Sequence, residues 1–359
     1  MKLTSRQMLF FLAAIAPLGK MVIMPARLAA ICRNDLLWPV LAQVLVQAAL
    51  VFCVLLLARR ERTLYTLVRD AAGSVCAKIC VLVLSAFLLF AALLPVIEQK
   101  LLVRSIFYDT IPAYLVFTPF FLFSAYLCSR PLVSLGRMWD ILAPFSLVGL
   151  AGILLLSVGS ADYGALSPAG AAGAQAFAGG TGAACGWFFD AALLLPLIGR
   201  FSYTKGLAWK GALCYLAGGG VLLFLIATFY GIFSEIAVIQ AHAIARMSGF
   251  FAGMTVLGRI DYLFIFAATF ALTFYVIFPL HGTVGMLTEA FGGKKQLPFL
   301  LSAAVNLVML VVIYLLNFRT SQIVEWVTGR LFWIFPVFSV LLPLLLLLIF
   351  GRRPHEKNS

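Results

Sequence analysis

Apolar residues run along this chain in blocks of about 20, separated by short segments that carry most of the charge. A block of that length matches a helix crossing roughly 30 Å of hydrocarbon. Windows of about 19 residues predict ten spans, over 7–31, 36–58, 75–97, 112–128, 141–158, 182–198, 212–233, 260–287, 297–316 and 331–350. The expected fold class is all-α, a polytopic membrane protein of about ten transmembrane helices. The whole chain reads as one transmembrane domain, with one half over 7–158, a second over 182–350 and a basic tail at 351–359. Glu61–Ala72 places Leu64, Tyr65 and Leu67 beside charges, which predicts a short helix lying in the membrane interface. Gly159–Gly180 is rich in Gly and Ala and reads as a flexible connector. Ser234–Gly258 holds Glu235, His242 and Arg246 on a helical pattern and predicts an amphipathic helix on the outer surface.

Composition agrees with the pattern. Of 359 residues, 64% are hydrophobic and 11% charged, against roughly 45–50% and about 25% in soluble domains. A water-soluble core of this length has no room for so much apolar side chain. This excludes a soluble enzyme, a disordered chain and a small disulfide scaffold. The mature chain is expected to keep its N-terminus: Lys2 and Arg6 precede an apolar run, but Pro25 and Arg27 follow it where a cleavage site of small residues is required.

Charge then fixes the expected orientation. The chain has 26 Lys and Arg against 13 Asp and Glu. With the N-terminus in the cytoplasm, 17 basic residues fall on the inner side, from Lys2 and Arg6 to Arg352 and Arg353. Seven fall outside, among them Arg33, Lys100 and Arg330, and Lys20 and Arg27 lie within the first span. That asymmetry predicts both termini inside. The net charge of +13 is a topology signal and not a nucleic-acid footprint, because no basic patch with interleaved aromatics stands outside the spans. Catalytic and metal motifs are absent from the sequence: the histidines are His242, His281 and His355, and no Ser/His/Asp set, HExxH, P-loop or CxxC occurs. Cys76 and Cys80 share a helix face without a second ligand pair. No enzyme, metal or cofactor is expected, and His281 reads as a packed, hydrogen-bonded side chain.

Two spans are interrupted. Pro17-Leu18-Gly19-Lys20 breaks the first, and Thr181–Trp187, Asp190 and Pro196 break the sixth. Proline removes a backbone donor and glycine admits non-helical dihedrals. Either interruption alone is also what a simple proline kink gives. Two of them at corresponding places in two five-span halves point to a transporter-type site at the junction of the halves. Ionisable residues inside spans are costly and mark functional positions. Lys20 and Asp190 are such residues, expected to meet as an ion pair. The candidate ligand-binding set is therefore Leu18, Gly19, Lys20, Cys185, Gly186, Trp187 and Asp190, with the unwound backbone expected to face a cavity.

These residues carry a resemblance. Gln7, Gly19, Met24-Pro25, Ala29-Ala30, Asp35 and Trp38 follow the opening pattern of the endospore germinant-receptor B subunits. The likeness returns in Leu132–Ile141 (LVSLGRMWDI), in Gly258–Tyr262 (GRIDY) and in the apolar Phe335–Phe350 run before a basic tail. Two positions differ: Lys20 stands where that family has a small or hydroxyl residue, and Phe188-Phe189-Asp190 stands where it has a Gly-Glu pair. The resemblance implies the fold of the amino acid–polyamine–organocation transporter superfamily, with an inverted five-plus-five repeat and broken first and sixth helices. It also implies a receptor subunit in the inner membrane of spores. Such a subunit senses a small nutrient and works with a larger membrane subunit and a lipoprotein. Secondary transport of amino acids or polyamines is the alternative.

Overall fold

The structure is a computed structural model that describes residues 2–106, 112–240, 242–248, 261–292, 296–316 and 319–351. The basic tail with His355, and Gly258–Ile260 of the GRIDY motif, lie outside the described residues. Helices build the fold, and no β-strand occurs among the described residues; one isolated bridge joins Leu3 to Phe201.

The first span is two helices, α1 (Ser5–Ile15) and α2 (Met24–Cys32). The next four are α3 (Leu37–Ala58), α4 (Leu64–Ile106), α5 (Ala113–Cys128) and α6 (Leu132–Val158). The sixth is again two pieces, α7 (Gly173–Ala184) and α8 (Asp190–Leu194). Then follow α9 (Leu207–Phe233), the short α10 (Ala243–Ser248), α11 (Asp261–Phe291) and α12 (Leu297–Leu316). The chain closes on α13 (Thr320–Glu325) and, after π-helical turns, α14 (Leu342–Gly351). Six helices, α3, α4, α6, α9, α11 and α12, are long and apolar enough to cross a membrane. The closing pair, Ser321–Arg330 with Ile334–Phe350, is bent by 62° and makes a seventh. The first, fourth and sixth predicted spans are the shorter pieces. This is an all-α polytopic membrane protein.

The pairing of helices follows the order of the chain. The second span (α3) packs on the seventh (α9), the third (α4) on the eighth (α11), and the fourth (α5) on the ninth (α12). One half of each broken span joins this pattern, α2 packing on α7. Four elements of the first half thus meet the one five places later; the fifth span (α6) packs instead on α11, and the closing helix α14 on α3.

Three expectations need correcting. The third span does not end at Ile97. Its helix runs on to Ile106, with Glu98, Gln99 and Lys100 inside the bundle at 0%, 7% and 5% exposure. A hydropathy window stops at charge, whereas a bundle interior accepts charge that it can solvate. Lys100 therefore leaves the outer-loop tally. Second, the Gly/Ala-rich segment is not a flexible connector. It folds as a 3₁₀ turn at Tyr163–Leu166 followed by α7, which begins nine residues before the predicted span (Gly173 against Gly182). Asp35 accepts hydrogen bonds from the backbone N–H groups of Gly170 and Ala172 at 2.6 and 2.7 Å. Small residues allow close approach here: any side chain at Gly180 would overlap Cys32 and Pro39. Third, Ser234–Gly258 is not one amphipathic helix where it is described. It is a 3₁₀ stretch, Ser234–Ile239, then α10, whose Ala243 N–H bonds the Val22 carbonyl at 3.0 Å. Within the Glu61–Ala72 segment a short helix begins at Leu64. Gly73, at φ 86°, turns the chain sharply between Leu64–Ala72 and the membrane-crossing part of α4, a conformation that suits glycine.

Candidate functional site

The site forms where the first and sixth spans break. α1 stops after Ile15 because Pro17 and Gly19 follow; Gly19 adopts φ 72°, and a Cβ there would overlap the Tyr275 ring. The chain resumes as α2 at Met24 with Pro25 in its first turn, where a missing N–H costs nothing. In the sixth span, α7 ends at Ala184 and α8 starts at Asp190. Backbone groups freed at membrane depth need partners from protein, and side chains supply them. Gln47 of α3 donates to the Phe188 carbonyl at 2.9 Å and accepts from the Ala191 N–H at 3.1 Å. Gln43, one turn earlier, donates to the Thr181 carbonyl at 3.1 Å and to Cys185 Sγ at 3.0 Å.

Lys20 and Asp190 meet at the centre. Lys20 Nζ lies 2.9 Å from Asp190 Oδ2 and 3.0 Å from Oδ1, and both side chains are 0% exposed. The ammonium also donates to the Ile15 carbonyl at 3.0 Å, the C-terminal end of α1, where the helix dipole favours a cation. It sits 4.9 Å from the centre of the Phe188 ring. Asp190 accepts two further bonds, from Tyr215 of α9 at 2.6 Å and from Tyr275 of α11 at 3.5 Å. One ion pair with two tyrosines thus joins the first, sixth, seventh and eighth spans.

A second buried carboxylate completes the site. Glu98 of α4 is 0% exposed. Its Oε1 accepts from Trp187 Nε1, at the break of the sixth span, at 2.9 Å, and from the Ile23 N–H, at the start of α2, at 3.3 Å. A single oxygen therefore holds both breaks from the third span. Its Oε2 is buried with no hydrogen-bond partner among the described residues.

The expected site residues divide. Lys20, Asp190 and Trp187 converge with Gly19 at the breaks. Trp187 turns its N–H to Glu98. Gly186 packs against Val327 and Thr328, and Cys185 is held by Gln43. A narrow apolar crevice lies to one side of the breaks, lined by Pro17, Leu18 and Met21 of the first span with Trp139, Ser146 and Ala268. The Lys20, Phe188 and Tyr275 side chains fill the space between the breaks where the sequence suggested a cavity. Elsewhere, His281 is packed as expected, with Nε2 3.0 Å from the Arg130 carbonyl. At the N-terminal end, Leu3 exchanges backbone hydrogen bonds with Arg200 and Ser202, and Lys2 pairs with Glu61 at 3.1 Å. Gln7 Nε2 there donates to Asp140 at 2.6 Å.

Sequence reasoning missed Glu98, Gln43, Gln47, Tyr215 and Tyr275. Glu98 had a signal: Leu84, Leu88, Ala91, Leu94, Glu98 and Leu102 recur at three- and four-residue intervals and are all buried. Gln43 and Gln47 are likewise four apart on one face of an apolar run.

The two broken spans thus close on buried charges held by the protein's own side chains. The family model described as spore germination protein matches residues 2–323 of this chain. The chain belongs to that family. The match spans every element of the site and agrees with the resemblance to the germinant-receptor B subunits. The germination-protein family is not a family of enzymes, and this member is a germination-related protein of the membrane. No curated protein matches the chain.

Proposed function

We propose that this chain is the small-molecule-sensing subunit of a spore germinant receptor. It senses an amino acid or similar nutrient at the two breaks and passes a conformational signal to a larger membrane subunit and a lipoprotein. The observation that carries the reading is the completely buried Lys20–Asp190 pair joining two broken spans. A polar junction of this kind has discrete paired and unpaired arrangements, and an equilibrium between two such states is what a ligand can bias. The packing of the first four spans against the sixth to ninth in order supports an inverted five-plus-five repeat over 7–158 and 182–350, and with it the amino acid–polyamine–organocation transporter fold. The charge asymmetry of the sequence favours both termini in the cytoplasm, and the family favours the spore inner membrane.

Secondary transport of amino acids or polyamines is the second reading, because the same breaks serve carriers. Two assays together separate the readings. A receptor subunit makes germination of a deletion strain unresponsive to its nutrient, while vesicles containing the protein take up no radiolabelled amino acid or polyamine. Uptake with normal germination of the deletion strain means a transporter.

A further inference from the structure

We propose that Glu98 is the ligand-reading residue of this site, and that the group it reads is a protonated amine. The inference rests on the sensing role just described and names the chemistry sensed.

The argument is one of charge and of filled positions. Lys20 and Asp190 neutralise each other. Glu98 is the remaining carboxylate at the breaks; Lys20 is near enough to act on it electrostatically, but no ion pair holds it among the described residues. Its Oε2 is an acceptor, fully buried and unpartnered. A buried acceptor without a donor is costly, and a ligand that supplies the donor relieves that cost. The positions an anionic ligand group would take are filled: the Ile23 N–H at the start of α2 is bonded by Glu98, and the Ala191 N–H by Gln47. Lys20, the cation at the site, spends its donors on Asp190 and Ile15. The donors at the two breaks named above are therefore taken, whereas a cation meets a free acceptor at Glu98; Trp139 Nε1, without a partner among the described residues, lies on the wall of the crevice. No group of three or more His, Cys, Asp or Glu able to hold a metal occurs among the described residues. Phe188 and Tyr275 at the breaks already face one ammonium, that of Lys20, at 4.9 and 5.8 Å, and aromatic faces favour such a cation.

The geometry also gives the readout. Glu98 Oε1 holds Trp187 and Ile23 together. An ammonium drawn to Oε2 withdraws negative charge from Oε1 and loosens both bonds at once. Binding at one carboxylate is then felt in the first and the sixth span.

The test uses the purified full chain with two probes at matched ionic strength. Glycinamide carries an ammonium and no carboxylate; N-acetylglycine carries a carboxylate and no ammonium. Glycinamide should raise the thermal unfolding midpoint of the wild type by roughly 2 °C or more at saturation, and N-acetylglycine should act no differently from sodium chloride. Glu98→Gln keeps an oxygen to accept from Trp187 and Ile23, so it should fold and lose the shift. Should that variant not fold, Glu98→Asp, one methylene shorter, should weaken glycinamide binding at least about tenfold. Equal shifts in wild type and Glu98→Gln overturn the proposal, as does undiminished binding by Glu98→Asp. A wild type that ignores glycinamide, or that answers N-acetylglycine instead, overturns it without any variant. A glycinamide shift in a protein whose deletion leaves germination normal would sink the receptor reading alone; a nutrient-dependent strain with no such shift would sink this one alone.

Discussion

Removing the Lys20 ammonium by Lys20→Met leaves Asp190 fully enclosed with two tyrosine hydroxyls and no counter-charge. The hydroxyl bonds exist already in the wild type, so they offset nothing new. The Ile15 carbonyl also loses a donor. Breaking one partner of a buried pair costs about 3–5 kcal/mol, and that is the expected destabilisation of the single variant. Adding Asp190→Asn removes the stranded charge while keeping an acceptor for Tyr215. The double variant should then lose only about 1–2 kcal/mol, which is about 2–3 kcal/mol less than Lys20→Met alone and far from additive. Heating the detergent-solubilised full chain and measuring the folded fraction by size exclusion gives the order directly. Wild type should be most stable, the double variant next and Lys20→Met least. A Lys20→Met protein as stable as the wild type, or a double variant whose loss is the sum of the single losses, would refute the reasoning.

Three further outcomes follow from the geometry. Gly19→Ala forces a left-handed residue against the Tyr275 ring and should cost at least about 2 kcal/mol in the same assay, with Tyr275→Ala recovering part of it. Asp35→Ala frees the Gly170 and Ala172 N–H groups and should make the 159–172 segment cleavable by added protease where the wild type resists, at a stability cost of about 1–2 kcal/mol. Removing residues 2–5 takes away the bonds of Leu3 to Arg200 and Ser202, so a cysteine placed at Phe201, buried in the wild type, should become reactive to a water-soluble thiol reagent in the detergent-solubilised chain with its native cysteines replaced.

The sequence made some of this legible and hid the rest for identifiable reasons. The spans could be read because apolar blocks of about 20 residues have few other uses. Lys20 and Asp190 could be read because a charge inside such a block is costly and stands out. Glu98 escaped because it follows Ile97 and precedes Gln99 and Lys100, a cluster that looks like a loop to a hydropathy window. Only the three- and four-residue rhythm continuing to Leu102 betrays the helix. Gln43 and Gln47 escaped because amides raise little alarm in an apolar run, although their spacing puts both on the face that meets the sixth span. The Gly/Ala-rich segment looked flexible because small residues suit both loops and tight packing; the packing of Gly180 on Cys32 and Pro39 decides between them here. The position of the cavity was not legible, since it depends on how Lys20, Phe188 and Tyr275 fill the space between the breaks.

The most direct measurement of the central claim is the nutrient response of spores carrying Lys20→Met with Asp190→Asn as the only copy of this subunit. The double variant is expected to accumulate in the membrane, because no charge is stranded. Its spores should fail to germinate on the nutrient while still germinating on a trigger that bypasses nutrient receptors. A normal nutrient response from the double variant would contradict the account, reducing the buried pair to a structural fastening with no part in sensing.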